Sequence, residues 1–559
     1  MTSKNHFDVC VIGTGAGGGV MIDRLTAAGF KVVALQRGPE LDGSDFKKDA
    51  GDELKNVVRR QVFAPDLLET FRPDADSPTE SGRFNPLAHC VGGTMTIWAG
   101  WAWRFMPDEF RVLSKEGPVS GASLADWPVT YEELEPYYER AEWDFGVSGD
   151  AGSNKFEGVR HRGYPNPPHP PRAGSRIFTT AAAKLGLHTF PIPMAINSQT
   201  YDGRPACVYR GACQQYGCPI DAKATSLSVS LPRALETGNL ELRSSSLAVE
   251  ILVGKDGQAK GVRYIDQSSP TLEAREVFAK QIVVAGNSIG TSHLLLLSKS
   301  TRFPDGLANS SGQVGRNLTF HTVPAVHFTL DQPTFTFTGN EVHRGLDNFH
   351  PSDPARGFIR GGVIADHNFL VKQPLVYALA AQSGHPTAGK WGPSFKEYLR
   401  DFPRTMTIAA VLEDLPMEKN GVDVDPLVKD KWNVPVARIT HGQHPNDVAM
   451  FNWFEARMLE IAAAAKPTEV WAGKTPGLDI RQGPMKGSGH IMGTCRMGNN
   501  PSRSVVDKWC RSHDVPNLWI VDGSVFPTSG GYNPTLTILA NAYRVADRFV
   551  SEVRRGNVK

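Results

Sequence analysis

The chain has 559 residues, too many for a single compact core, so two or more domains are expected. Hydrophobic residues at 40% and charged residues at 21% fit an ordinary globular protein, and no apolar run reaches the roughly 18 residues that span a bilayer. Lys and Arg (60) nearly balance Asp and Glu (58), and a formal net charge of +2 gives nucleic acid no footing.

The first predicted strand, 7–12, starts too early to leave room for a signal peptide of roughly 15–30 residues. Two destinations follow: the cytoplasm, or export in folded form beside a partner that carries the signal. The strand enters Gly13-Thr14-Gly15-Ala16-Gly17-Gly18, then a helix through Met21–Leu25 and a second strand over 31–35. Strand, glycine turn, helix and strand within about 30 residues form the Rossmann-like unit that rests a pyrophosphate on a helix amino terminus. Gly13 permits the tight turn, Gly15 lets the backbone approach phosphate, and Gly18 allows helix and strand to pack closely. The second strand ends on Gln36 where an acid for the ribose hydroxyls is usual; its amide oxygen can still accept from a hydroxyl, without a carboxylate's strength. Arg37 has two readings, a phosphate neighbour and a solvated surface arginine.

The interval 60–90, rich in proline and polar residues, reads as a subunit-contact or lid loop. Thr130 and Glu133 have capping-box spacing and mark a helix start. Three of the seven cysteines fall within residues 207–218, in Cys207-Val-Tyr-Arg-Gly-Ala-Cys213-Gln-Gln-Tyr-Gly-Cys218-Pro219. Glycines let such a loop wrap a compact centre, and a proline after the last cysteine recurs in ferredoxin-type loops. A structural zinc site takes four protein ligands and this loop offers three, which suits a [3Fe–4S] cluster. The alternative is three structural thiols. Cys10, Cys495 and Cys510 read as small buried residues, and Cys90 as another or as a cofactor neighbour.

Residues 326–475 carry none of the nucleotide signals and are expected to form the substrate domain, an antiparallel sheet with helices. The predicted divisions are 1–325, mainly nucleotide-binding, 326–475, and a return to the first domain over 476–559. Phe335, Phe337, His343 and Trp391 are candidate pocket residues or core, and 455–465 has helical spacing. The last stretch holds Gly489-His490-Ile491-Met492-Gly493-Thr494, the strand-like Leu518-Trp519-Ile520-Val521-Asp522-Gly523, and Gly531-Tyr532-Asn533-Pro534-Thr535. A histidine with a second polar side chain beside it can take a hydroxyl proton and hold the alkoxide. With a redox cofactor, that pair suggests hydride abstraction from an alcohol.

Together these motifs resemble the glucose–methanol–choline (GMC) oxidoreductases over almost the whole chain. The resemblance implies a mixed α/β fold with an FAD domain and an antiparallel-sheet substrate domain. His89-Cys90-Val91-Gly92-Gly93-Thr94-Met95-Thr96-Ile97-Trp98 is similar to the family's glycine pair over the flavin, placing Gly92, Gly93, Thr94 and Trp98 at the cofactor. Lys280–Asn287, with Ala285, resembles its second FAD-contacting strand, and Val249 its adenine-side valine or a plain core residue. Gly312–Leu318 resembles the loop that re-enters the FAD domain. Asp522, Gly523, Asn533 and Thr535 are implied on the FAD side, with a strand-ending turn the alternative for Asp522 and Gly523. His490 is implied as the base and Asn533 as its partner. The sugar-oxidising branch fits best, on Asp126–Leu134, Glu413-Asp414-Leu415-Pro416 and the asparagine at 533.

Pyranose oxidases attach flavin through a histidine where this chain has Ile97, so dissociable FAD is expected. The expected activity is oxidation of a secondary hydroxyl of a sugar or glycoside, C3 of a pyranoside favoured. Electrons would leave through the cysteine cluster to a cytochrome c-type or quinone-type acceptor. A small subunit with an export signal is the implied partner, giving a periplasmic, membrane-associated assembly; a cytoplasmic enzyme is the alternative. A gluconate or fructose dehydrogenase subunit, an oxygen-using oxidase and a redox-silent lyase are the rival functions.

Overall fold

A computed structural model describes residues 5–46, 67–211, 213–269, 271, 273–368, 374–381, 384–474 and 479–556. Its first sheet has seven strands. Leu240–Arg243, Val32–Leu35, His6–Ile12 and the second half of Ala274–Val284 run parallel, with Leu518–Ile520 parallel along the far side of that long strand. Val9, Cys10, Val11, Val32 and Val33 are fully buried, as expected of a parallel sheet covered on both faces. The first half of Ala274–Val284 continues into an antiparallel meander with Ala259–Asp266 and Ser246–Val253. One helix, Ala16–Ala27, follows the glycine turn and packs on Thr535–Arg554, which packs in turn on Tyr131–Asp144. That last helix begins with the predicted capping box, Thr130 Oγ1 accepting from the Glu133 amide at 3.2 Å and Glu133 accepting from the Thr130 amide at 3.0 Å.

Two six-stranded sheets make up the remaining framework. Glu469–Ala472, Ala325–Thr329, Thr405–Leu412, Gly362–Ala365, Arg344–Leu346 and Phe190–Pro191 pair antiparallel in that order. Every residue of Thr405–Leu412 is buried, because the helix Pro445–Ala464 lays Met450, Phe454, Met458 and Ile461 against this sheet. The other sheet orders Met492–Thr494, Arg316–Thr319, Gly421–Lys429, Pro435–Thr440, Glu69–Arg72 and Glu80–Gly82. Residues 67–90 thus supply two strands rather than a lid, and 60–66 lie outside the described residues.

The pairing of Arg316–Thr319 with Met492–Thr494 decides the site. It matches Thr319 with Met492 and brings the backbones so close that a Cβ on Gly493 would lie 1.9 Å from the Asn317 carbonyl oxygen. Two residues beyond Thr319, and two before Met492, the chain leaves these strands and brings His321 to His490, their Nδ1 atoms 2.9 Å apart.

Candidate active site

The glycine turn is built for backbone approach. Gly13 has φ +96°, and a Cβ there would sit 2.3 Å from the Ala285 carbonyl oxygen. A Cβ on Gly18 would meet the Gly13 carbonyl oxygen at 2.0 Å, so the helix can start only where a glycine stands. Gly93, at φ +59°, comes within van der Waals reach of Gly15, which joins the first glycine turn to the second. Thr14 adds a polar tie, its hydroxyl accepting from the Gly92 amide at 2.9 Å and donating to Gln36 Oε1 at 2.8 Å. The Thr14 amide also donates to Gln36 Oε1, at 3.0 Å. Gln36, expected at the ribose, thus places its oxygen against both donors of Thr14. Arg37 is half-buried, its guanidinium 5.7 Å from the Trp432 ring centre.

Around this cradle, Trp98 Nε1 donates to the Ala224 carbonyl at 2.9 Å, and Thr94 Oγ1 accepts from the Ala88 amide at 3.2 Å. Val249 falls where the register between Ser246–Val253 and Ala259–Asp266 shifts at a bulge. Asp522 accepts from Thr291 Oγ1 at 2.6 Å and from the Ser524 amide at 2.8 Å; burial raises its carboxyl above the usual range. A Cβ on Gly523 would lie 2.7 Å from the Ile491 carbonyl oxygen, and Thr535 opens the helix that follows Asn533.

His490 stands between two side chains. Its Nε2 lies 2.9 Å from Asn533 Nδ2, and its Nδ1 lies 2.9 Å from Nδ1 of His321. Asn533 Oδ1 is buried with no hydrogen-bond partner among the described residues, an open acceptor beside the imidazole. The His490 loop is pinned by Ser288 Oγ, which donates to the Ile491 carbonyl at 2.7 Å. The Asn533 loop is pinned by buried charge. Glu109 accepts from the Gly531 amide at 3.4 Å and pairs with Arg360 at 2.7 Å, while Ser529 Oγ donates to the Asp414 carbonyl at 3.1 Å. Desolvation, followed by the nearby His321 and His367, drives the His490 pKa well below its ordinary value. A buried carboxylate at this position would have done the reverse.

His321 and His367 escaped the sequence reading. His367 Nε2 donates to Gln214 Oε1 at 3.2 Å, and its ring meets that of Trp101 edge-on at 4.6 Å. The cysteine loop therefore reaches the site through Gln214. Lys223 Nζ gathers the carbonyls of Trp98, Cys213 and Tyr216 at 2.6–2.9 Å, and Glu341 Oε1 accepts from the Cys213 and Gln214 amides at 2.9 and 3.0 Å. Cys213 is buried, while Cys207 and Cys218 are half-buried. Among the described residues no group of three or more His, Cys, Asp or Glu side chains is arranged to hold a metal. The three thiols as placed do not fit a [3Fe–4S] cluster, and no electron step is routed through them. Trp391 and Phe335 are 84% and 51% exposed; Phe337 stacks on Phe402, and His343 is buried.

Two segments match the sequence profile described as GMC oxidoreductase, residues 87–323 and 416–542. The chain belongs to the GMC oxidoreductases. It is 34% identical to 2-methyl-1,2-propanediol dehydrogenase of Mycolicibacterium austroafricanum, across 98% of this chain and 95% of that protein. It is 29% identical to the fructose dehydrogenase large subunit of Gluconobacter japonicus, across 98% of both chains. The crystal structure of pyridoxine 4-oxidase from Mesorbium loti superposes with a TM-score of 0.65 at 17% identity, covering 97% of this chain and 99% of that one, a likeness of fold. Like its family, this GMC chain is an FAD-dependent oxidoreductase of CH–OH groups. The cradle fits that cofactor: glycine backbone at Gly15 and Gly93 where phosphate and ring must come close, and a histidine whose pKa burial drives well down.

Proposed function

We propose that the protein is a dehydrogenase that oxidises a secondary hydroxyl of a sugar or glycoside to a ketone, with C3 of a pyranoside the favoured position. The observation that carries this reading is the His490–Asn533 pair, 2.9 Å apart, with Asn533 Oδ1 left open. A hydroxyl entering between them donates to His490 Nε2 and accepts from Asn533 Nδ2–H. His490 removes the hydroxyl proton, and Asn533 supports the charge that develops on oxygen. FAD, when bound, supplies the hydride acceptor for the carbon-bound hydrogen; with Ile97 at the attachment position, it is held without a covalent link. His490 and Asn533 ride on loops tied to the framework, so the geometry is set before substrate arrives.

Support for a polyhydroxyl substrate comes from relatives named for a diol and for fructose. A partner for electron exit is supported by the relative named as a large subunit, and a cytochrome c-type or quinone-type acceptor fits that arrangement. Export with a small subunit to the periplasm follows if that partner is present, and a cytoplasmic site if it is not. The test is anaerobic titration of the flavin with methyl α-D-glucopyranoside, D-gluconate, D-fructose and 2-methyl-1,2-propanediol, followed by product analysis. Bleaching by the glucoside with a 3-keto product is expected. Reoxidation by an artificial dye faster than by air marks a dehydrogenase. Flavin that stays oxidised with every alcohol rejects the proposal.

A further inference from the structure

We infer that His321 is the positioning residue for the base: it holds His490 as the Nδ1–H tautomer, with the Nε2 lone pair turned toward Asn533 and the incoming hydroxyl. The inference rests on His490 being the base, and the hydrogen bonds around His321 carry it. His321 Nε2 lies 2.7 Å from the Gly530 carbonyl oxygen and 3.2 Å from that of Ser529. Both are acceptors only, so Nε2 carries the proton and Nδ1 of the neutral ring keeps its lone pair. That lone pair, 2.9 Å from His490 Nδ1, demands a donor there. A single neutral imidazole that is protonated on Nδ1 is bare on Nε2, the nitrogen facing Asn533 Nδ2–H at 2.9 Å. In the opposite tautomer His490 would face His321 lone pair to lone pair and Asn533 donor to donor. The carbonyls of 529 and 530 thus set the protonation of a ring one residue removed.

Elsewhere in the molecule some buried histidines lean on carboxylates, His441 on Asp414 at 2.8 Å and His350 on Glu109. The groups that act on His490 are His321 and His367, neither of them acidic; Asp414 and Glu109 act on His321 at longer range. An uncharged orienter fixes direction without adding the counter-charge that would keep the base protonated. Burial agrees, lowering His321 to about 4. During reaction the substrate O–H proton passes to His490 Nε2 and its Nδ1–H stays bonded to His321, whose own Nε2–H is held by the two carbonyls.

His321→Phe, His321→Gln and His321→Glu test this in the FAD-loaded enzyme, with anaerobic flavin reduction by the fastest alcohol of the panel followed across pH. The phenylalanine variant, lacking an acceptor, is expected to lower the limiting rate by about 10²-fold with substrate affinity unchanged. Glutamine can accept at its amide oxygen and should restore part of that loss. Glutamate adds a negative acceptor, so the acid limb of the profile should move to higher pH. If phenylalanine fails to load FAD, the glutamine and glutamate pair decides alone. Wild-type rate and profile in any folded variant lacking an acceptor, or the same loss with an unmoved profile in all three, overturns the inference. An inactive His490→Ala beside unaffected His321 variants overturns this step only. Full reduction by His490→Ala removes both readings.

Discussion

At the glycine cradle the backbone makes the contacts; at the base, side chains from three separated segments do. Gly13, Gly15 and Gly18 lie within six residues, and their purpose shows in spacing alone, since absence of a Cβ is what the site requires. His321, His490 and Asn533 come from two loops that flank paired strands and from a helix-leading loop, and each means little until the strand pairing brings them together. The lesson is that a site made of missing atoms is read from a short motif, whereas a site made of hydrogen-bonded rings is read only from pairing.

Sharpest on that contrast is His490→Ala, which should cut the rate of flavin reduction by about 10²–10⁴-fold while FAD absorbance stays at wild-type stoichiometry. Loss of FAD along with the rate would mean that the two regions are not separable. Asn533→Ala removes one donor to the developing alkoxide and should cost about 10²-fold in the same measurement. Gly15→Ala probes the other region. A Cβ there meets nothing closer than the Gly93 Cα at 4.0 Å, so the apoprotein should keep its stability within about 0.5 kcal/mol. Weakened FAD binding by fluorescence titration, with apoprotein Tm unchanged, is the expected result. Equal FAD affinity would show that the cofactor's phosphates do not approach this glycine.

The smallest effect concerns pH. Burial lowers His293 and His321 to about 4 and His327 to about 3. In the unfolded chain these rings bind protons near pH 6.5, so the unfolded state gains protons first as pH falls. Their contribution is fully present above pH 6.5 and is lost as pH drops toward their folded values. Tm should therefore decline from pH 7 to 5 while the His490-dependent rate stays level between pH 7 and 8.

The strands at 7–12 and 31–35 are readable because each contains an unbroken apolar run, 9–12 and 32–35, and the structure begins them at His6 and Val32. The helix expected over 455–465 proves to run Pro445–Ala464, its early half hidden by proline and asparagine that serve as a helix start. The re-entry motif was recognised as far as Leu318, three residues short of His321, because nothing local distinguishes that histidine from a core one. Gln36 is half legible: its oxygen suits a ribose hydroxyl, and its tie to Thr14 appears only in the fold. For the cysteine loop, spacing suggested iron, whereas a buried Lys223 and Glu341 organise its backbone. Iron analysis of the purified protein is expected to return less than one atom per chain; about three would mean that the thiols close around a cluster when it is supplied.

The short distance from strand pair to imidazole carries a practical warning for anyone redesigning this scaffold. His321 and His490 each stand two residues from the Thr319–Met492 pair, so adding or deleting one residue between Arg316 and His321, or between His490 and Thr494, would put Phe320, Thr322, Gly489 or Ile491 where an imidazole stands. Length changes in those two short stretches should silence turnover even where the fold survives, so libraries that vary substrate preference belong on other loops.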